Sequence, residues 1–144
     1  MSTKRIGNKA ESVILSEFVK LGIPVSLPFG DNEKYDLIIE TNAGFKSVQV
    51  KHGTYNNGRV DAHITFKTGS DRLEYSKYFG NSKVDYIAIW CGQLDRSFLV
   101  PINKCDKTIL YLRVDTPKNN SCISTIVWAD DFDFIKVASD LIAD

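Results

Sequence analysis

Apolar residues first recur at Ala10, Val13, Ile14, Phe18 and Leu21, a spacing near 3.6 residues that predicts a helix over 7–22. Gly22 follows as its stop, because glycine accepts the left-handed backbone that ends many helices. Val25-Ser26-Leu27-Pro28 reads as a short edge strand ended by proline, and Phe29 to Lys34 as a polar turn. The period then changes to two. Tyr35 to Glu40 and Ser47 to Lys51 are strand-like runs, and Thr41-Asn42-Ala43-Gly44 between them is a hairpin turn. Residues 54–66 read as a second hairpin or extended arm turning at Asn57-Gly58. Ser70-Asp71-Arg72 opens a short helix through Tyr78. Val84 to Trp90 is the most apolar strand and is expected to be central; Ser97 to Ile102, Thr108 to Val114 and Cys122 to Trp128 are further strands. Asp130-Asp131 is placed to cap a last helix with Phe134, Ile135, Ala138, Leu141 and Ile142 on its apolar side. This order predicts an α/β or α+β chain with a mixed sheet. With 144 residues and no repeat or linker, it is expected to form one domain over 1–144.

The first hairpin carries candidate chemistry. Side chains alternate along a strand, so Gln49 and Lys51 share one face and Val48 and Val50 the other. Asp36 starts the partner strand, so an acid, an amide and a lysine can converge at one end of the sheet. Hard cations such as Mg²⁺ take oxygen ligands, often a few carboxylates with water and a substrate phosphate. Asp36 can supply a carboxylate and Gln49 a neutral oxygen. Lys51 is a compact cation able to stabilise charge on a phosphate or to help deprotonate an attacking water. A lysine in a half-buried strand is otherwise costly, since buried charge needs a partner. Glu11 flanks the buried face of the first helix and can reach the sheet; alternatively it is a first-turn glutamate favoured by the helix dipole.

Asp36, thirteen residues before Gln49-Val50-Lys51, together with the Gly7-Asn8-Lys9-Ala10-Glu11 helix start and the strand Val84 to Ile89, resembles the PD-(D/E)XK nuclease superfamily. The resemblance is strongest to the branch containing a group I intron-encoded homing endonuclease, in which glutamine replaces the second acid. It covers about the first two thirds of the chain. Tyr35 stands where the motif's proline would be, and Gln49 removes one negative charge. The resemblance implies a restriction-endonuclease-like α/β core: a mixed central sheet flanked by helices, here with additional C-terminal strands. It implies a metal-dependent, site-specific endonuclease that cuts double-stranded DNA with metal-activated water. Glu11, Asp36 and Gln49 would hold Mg²⁺, for which Mn²⁺ could substitute, and Lys51 would stabilise the transition state. One site cuts one strand, so a double-strand cut asks for a homo-oligomer, a dimer or a dimer of dimers. A Holliday-junction resolvase shares the fold and much of the site. A non-catalytic DNA-binding module on the same fold, or a plain interaction protein, are the competing readings.

Charge and cysteines refine this only slightly. The formal net charge is zero, which by itself argues against a nucleic-acid binder. Residues 1–83 nevertheless hold 12 basic and 9 acidic side chains, and 84–144 hold 6 and 9. A basic face is what phosphates require, not a basic total. Tyr55, Asn56, Asn57, Arg59, His63, Lys67, Arg72 and Lys77 are the candidate DNA contacts beside the site, and a solvated hairpin is the plainer reading of the same stretch. The acidic C-terminal third is the candidate assembly surface. Cys91, Cys105 and Cys122 are widely spaced and form no CxxC pair, which points to reduced thiols rather than zinc or disulfides. No long apolar run or signal-peptide pattern is present, so a cytoplasmic protein without a membrane span is expected.

Overall fold

The computed structural model describes residues 2–30, 33–64, 83–105, 108–118 and 125–144. Helix α1 spans Thr3–Lys20 and buries Ala10, Ile14 and Phe18, the stripe expected from the sequence. Its start lies further upstream than that stripe suggests, because Ser2 caps it by accepting from the Arg5 N–H at 3.3 Å. At its end Gly22 adopts φ +81°, and the Gly22 and Ile23 N–H groups donate to the Val19 and Phe18 carbonyls, closing the helix as a Schellman motif.

Strands β1 (Val25–Ser26), β2 (Leu37–Thr41), β3 (Gly44–His52), β6 (Tyr86–Cys91) and β7 (Arg96–Pro101) form a five-stranded sheet in the order β1-β2-β3-β6-β7. Only β3 and β6 pair in parallel, so the sheet is mixed. Strand β6 is interior and almost wholly buried, as its apolar run requires. Strands β4 (Thr54–Asn56), β5 (Arg59–His63) and β8 (Ile109–Arg113) make a separate three-stranded sheet. The β4–β5 turn is tight because Asn57 and Gly58 both take positive φ, 52° and 82°.

The main sheet buries both faces, each against a different kind of layer. On one face Val48, Val50, Ala88, Trp90 and Leu99 pack against α1 and a second helix, α2 (Phe134–Asp140). Phe18 and Phe134 meet there with ring centroids 4.7 Å apart. On the other face Ile87, Ile89, Phe98 and Val100 pack against Val60, Ala62, Leu110 and Leu112 of the second sheet. Both described helices therefore cover one face, and strands cover the other.

Gly53 sits where the chain passes from one sheet to the other. Its N–H donates to the Trp90 carbonyl at 2.9 Å. A methyl group there would lie 2.7 Å from both Ile89 Cγ2 and Val60 Cγ1, side chains of the two facing layers. Gly53→Ala should therefore destabilise the fold by about 1–3 kcal/mol, the usual cost of overpacking a core. A lower urea midpoint with an unchanged slope is the expected reading.

The C-terminal segment departs from expectation. Asp130 and Asp131 do not cap a helix; they lie in a 3-10 turn, Ala129–Phe132, and Asp133 precedes α2 without a side-chain capping bond. The Asp130 and Asp133 carboxylates instead accept from Arg96 Nη2 at 3.1 and 3.4 Å. Phe134 and Ala138, one turn apart, are buried, and Leu141 and Ile142 pack beside them, whereas Ile135, one position round the helix from Phe134, is exposed. In the described part of the expected strand Cys122 to Trp128, the one β contact is a bridge from Trp128 to Arg113. Residues 122–124, and the expected helix from Ser70 to Tyr78, lie outside the described residues. Cys91 and Cys105 are buried free thiols.

Candidate active site

The β2–β3 hairpin sets the site. Leu37 lies opposite Val48, and Gln49 and Lys51 lie beside Ile87 and Ile89 of β6. Gln49 and Lys51 therefore share the face turned to the second sheet, and Val48 and Val50 the face turned to α1. Strand β2 begins only at Leu37, and the carboxylate of Asp36 takes over part of the ladder. Asp36 Oδ2 accepts from the Val50 N–H at 2.8 Å and from Gln49 Nε2 at 3.0 Å. The Asp36 N–H donates to the Val48 carbonyl at 2.9 Å. The acid is thus held by backbone and by the amide two positions before Lys51. Because Gln49 donates through Nε2, its Oε1 remains an acceptor for another ligand.

Glu11 comes from α1, yet it meets the same place. A cleft of about 240 Å³ is lined by Glu11, Leu27, Pro28, Gly30, Glu33, Tyr35 and Asp36. It opens because β1 pairs with β2 only through Val25 and Ser26, after which the chain swings away from the sheet margin.

The electrostatics of the three ionisable groups are mutually consistent. Burial raises the Asp36 carboxyl above the usual aspartate range, against the opposing pull of the Val50 N–H and of Lys51. Burial and then the nearby Asp36 raise Glu11. Burial lowers the Lys51 ammonium, and Asp36 works against that. Two desolvated carboxylates in one cleft favour a cation between them, and carboxylate and amide oxygens are the hard donors that Mg²⁺ prefers. Among the described residues no group of three or more His, Cys, Asp or Glu side chains could hold a metal ion. Glu11, Asp36 and the Gln49 oxygen are the groups that could hold a cation here, with water and substrate completing its shell.

The proposed DNA-contact residues fall elsewhere. Tyr55, Asn56, Asn57, Arg59 and His63 lie on or between β4 and β5 in the second sheet. This hairpin is fastened down rather than projecting as an arm. Tyr55 OH donates to Asp115, Arg113 donates to the Asn57 carbonyl, and the Val114 and Asp115 N–H groups both donate to the Gly58 carbonyl. The Tyr55 hydroxyl is raised above its ordinary range, first by that bond to Asp115. Arg59 pairs with Asp61 at 2.8 Å and lies 4.2 Å over the Tyr111 ring. Lys67, Arg72 and Lys77 lie outside the described residues.

Sequence reasoning missed Glu33 and the Leu27–Gly30 wall of the cleft, having read both as an edge strand and a polar turn. The apolar pair Leu27 and Phe29 flanking a proline was the signal available for the wall.

A mixed sheet with α1 on one face and an acid, an amide and a lysine on its β2–β3 hairpin is the frame of a restriction-endonuclease-like nuclease. A family model for PD-(D/E)XK endonucleases matches residues 1–135, and the chain belongs to that family. Among solved structures, the bacterial homing endonuclease I-Ssp6803I is similar with a TM-score of 0.66 and 23% identity, over 84% of each chain. The Archaeoglobus fulgidus Holliday junction resolvase Hjc is similar with a TM-score of 0.50 and 12% identity, over 92% of this chain and 95% of that one. No curated protein sequence matches the chain.

Proposed function

We propose that this chain is a site-specific endodeoxyribonuclease of the homing type, acting on double-stranded DNA from a single domain over 1–144. The observation that carries this reading is the meeting of Glu11 and Asp36 in one cleft, with Gln49 bonded to Asp36 and Lys51 one residue beyond Val50. Glu11, Asp36 and the Gln49 Oε1 would hold the cation, Mg²⁺ or, as a substitute, Mn²⁺. When bound, such an ion supplies Lewis acidity to a phosphoryl oxygen and makes water more acidic. Asp36 fixes Gln49 through the 3.0 Å bond and is itself fixed by the Val50 N–H. Water attacks phosphorus in line, the bond to the 3′ oxygen breaks, and a 5′-phosphate and a 3′-hydroxyl result. Lys51 balances the charge that gathers on the phosphoryl oxygens, in surroundings dry enough to strengthen that interaction.

Tyr55, Asn56, Asn57, Arg59, His63, Lys67, Arg72 and Lys77 are the proposed DNA contacts, the first five from the second sheet. Two copies, as a dimer or a dimer of dimers, would cut both strands, with the acidic C-terminal third as the assembly surface. A cytoplasmic location is part of the proposal. Among the described residues no helix is long and apolar enough to cross a membrane.

The decisive experiment is nicking of supercoiled plasmid with and without Mg²⁺. Absence of metal-dependent nicking leaves a DNA-binding or interaction module on a nuclease fold. The resolvase reading draws support from the likeness to Hjc. It predicts that a four-way junction is cut in preference to linear duplex, whereas the homing reading predicts the reverse.

Gln49→Glu offers a sharper check on the metal. A third carboxylate would join two that burial already raises above the ordinary carboxylate range. The fold should persist, and the Mg²⁺ and Mn²⁺ concentrations needed for half-maximal cleavage should shift. Identical titration curves for the variant and the wild type would remove Gln49 from the ligand set.

A further inference from the structure

We propose that the loop Leu27-Pro28-Phe29-Gly30 is an apolar wedge that docks against the bases of duplex DNA beside the phosphate to be cut. The proposal rests on the nuclease reading and deepens it, by naming what grips the strand at the mouth of the cleft.

Phe29 is as exposed as a residue can be, at 104% of its reference area, and Leu27 is 62% exposed. Single exposed apolar residues are ordinary on protein surfaces. These two stand either side of one proline, and Leu27, Pro28 and Gly30 line the same cleft as Glu11 and Asp36. The other large exposed apolar residues among those described are scattered singly over α1, the start of β3, β8 and α2. Pro28 restricts its own backbone and that of Leu27, so the rim holds its shape before anything binds.

Size then decides what meets the rim. A cleft of about 240 Å³ is smaller than the roughly 300–1,000 Å³ of ordinary small-molecule pockets. A phosphodiester is of a size to enter it. A strand whose phosphate reaches Glu11 and Asp36 must leave its flanking sugars and bases outside, against Leu27 and Phe29. Phe, Leu and Pro are the residue types that wedge between base steps and open them. An exposed phenyl ring stacks on any base, because every base presents a π face.

The test uses the whole chain and a mixed-sequence duplex at low salt, without added divalent metal so that the DNA stays intact. In Phe29→Trp the new indole should be quenched on DNA binding, above the constant background of Trp90 and Trp128. The same change at Phe45, which faces Glu40 at the far end of the hairpin, should report nothing. Phe29→Ala should bind duplex roughly tenfold more weakly, the scale of one lost stack. Wild type should bind a mismatched duplex more tightly than a matched one, because the unstacking is already done there, and Phe29→Ala should gain less from the mismatch. Unchanged Phe29→Trp emission on bound DNA, or full binding by Phe29→Ala, overturns the wedge alone. Emission that shifts with protein concentration in the absence of DNA also overturns it, by showing that a second copy covers the loop. A wild-type protein that shows no metal-dependent nicking overturns the nuclease reading and the wedge with it.

Discussion

Lys51→Ala should fold, bind DNA and cleave at least about a hundredfold more slowly, the scale of removing one group that holds transition-state charge. The reason lies in where β3 places it. Lys51 lies beside Ile89 on a half-buried face, and that burial pulls its ammonium below the ordinary lysine range. A charge kept there at such cost is a poor contributor to stability and a strong one to a dry active site. Removing it also takes away the positive neighbour that lowers Asp36, so the Asp36 carboxyl should hold its proton more tightly still. Residual cleavage by the variant should therefore need a higher pH than the wild type requires. Arginine should not restore the rate, since its planar, forked guanidinium differs in shape and donor geometry from a compact ammonium. Single-turnover nicking in Mg²⁺ across a pH series, with DNA binding followed separately, makes the measurement. Wild-type turnover in Lys51→Ala would place the transition-state partner elsewhere.

Asp36→Asn should abolish cleavage to a similar extent while leaving the melting temperature at neutral pH unlowered. Folded Asp36 holds its proton more tightly than the ordinary value of 3.8 allows. For a group raised in the folded state, the stabilisation is fully present below the unfolded value and is lost as the pH rises through the folded one. The ionised carboxylate is therefore a net cost to the fold at neutral pH. Asparagine keeps an oxygen for the Val50 N–H and Gln49 Nε2, the two donors the carboxylate now serves. It loses the charge that a cation needs. Melts from acid to neutral pH, beside nicking assays, test both halves. A variant that melts as low as a core truncation would make Asp36 a structural strut rather than a metal ligand.

Whatever rests on local periodicity and turn chemistry is legible in the chain before it folds. The stripe Ala10, Ile14, Phe18 predicts α1, and Gly22 stops it where a left-handed residue is needed. The alternation of Val48, Gln49, Val50 and Lys51 already divides the hairpin into a core face and a chemical face. Asn57-Gly58 marks the second turn for the same local reason. The resemblance to PD-(D/E)XK nucleases was also legible there, because the motif sits on one hairpin and one helix. Tertiary structure alone decided the rest. That β5 pairs with β8 to roof the second face of the sheet is a non-local match between short strands, with no trace in either one's own pattern. Asp130 and Asp131 read as helix caps from the sequence, yet both lie in a 3-10 turn, and Arg96, distant in sequence, holds Asp130 together with Asp133. The approach of Glu11 to Asp36 depends on α1 packing across the hairpin, and the segment after β1 supplies Leu27, Pro28 and Gly30 to the cleft they share. Periodicity reports which way a side chain faces on its own element; which elements then share a cleft is settled by how the layers pack.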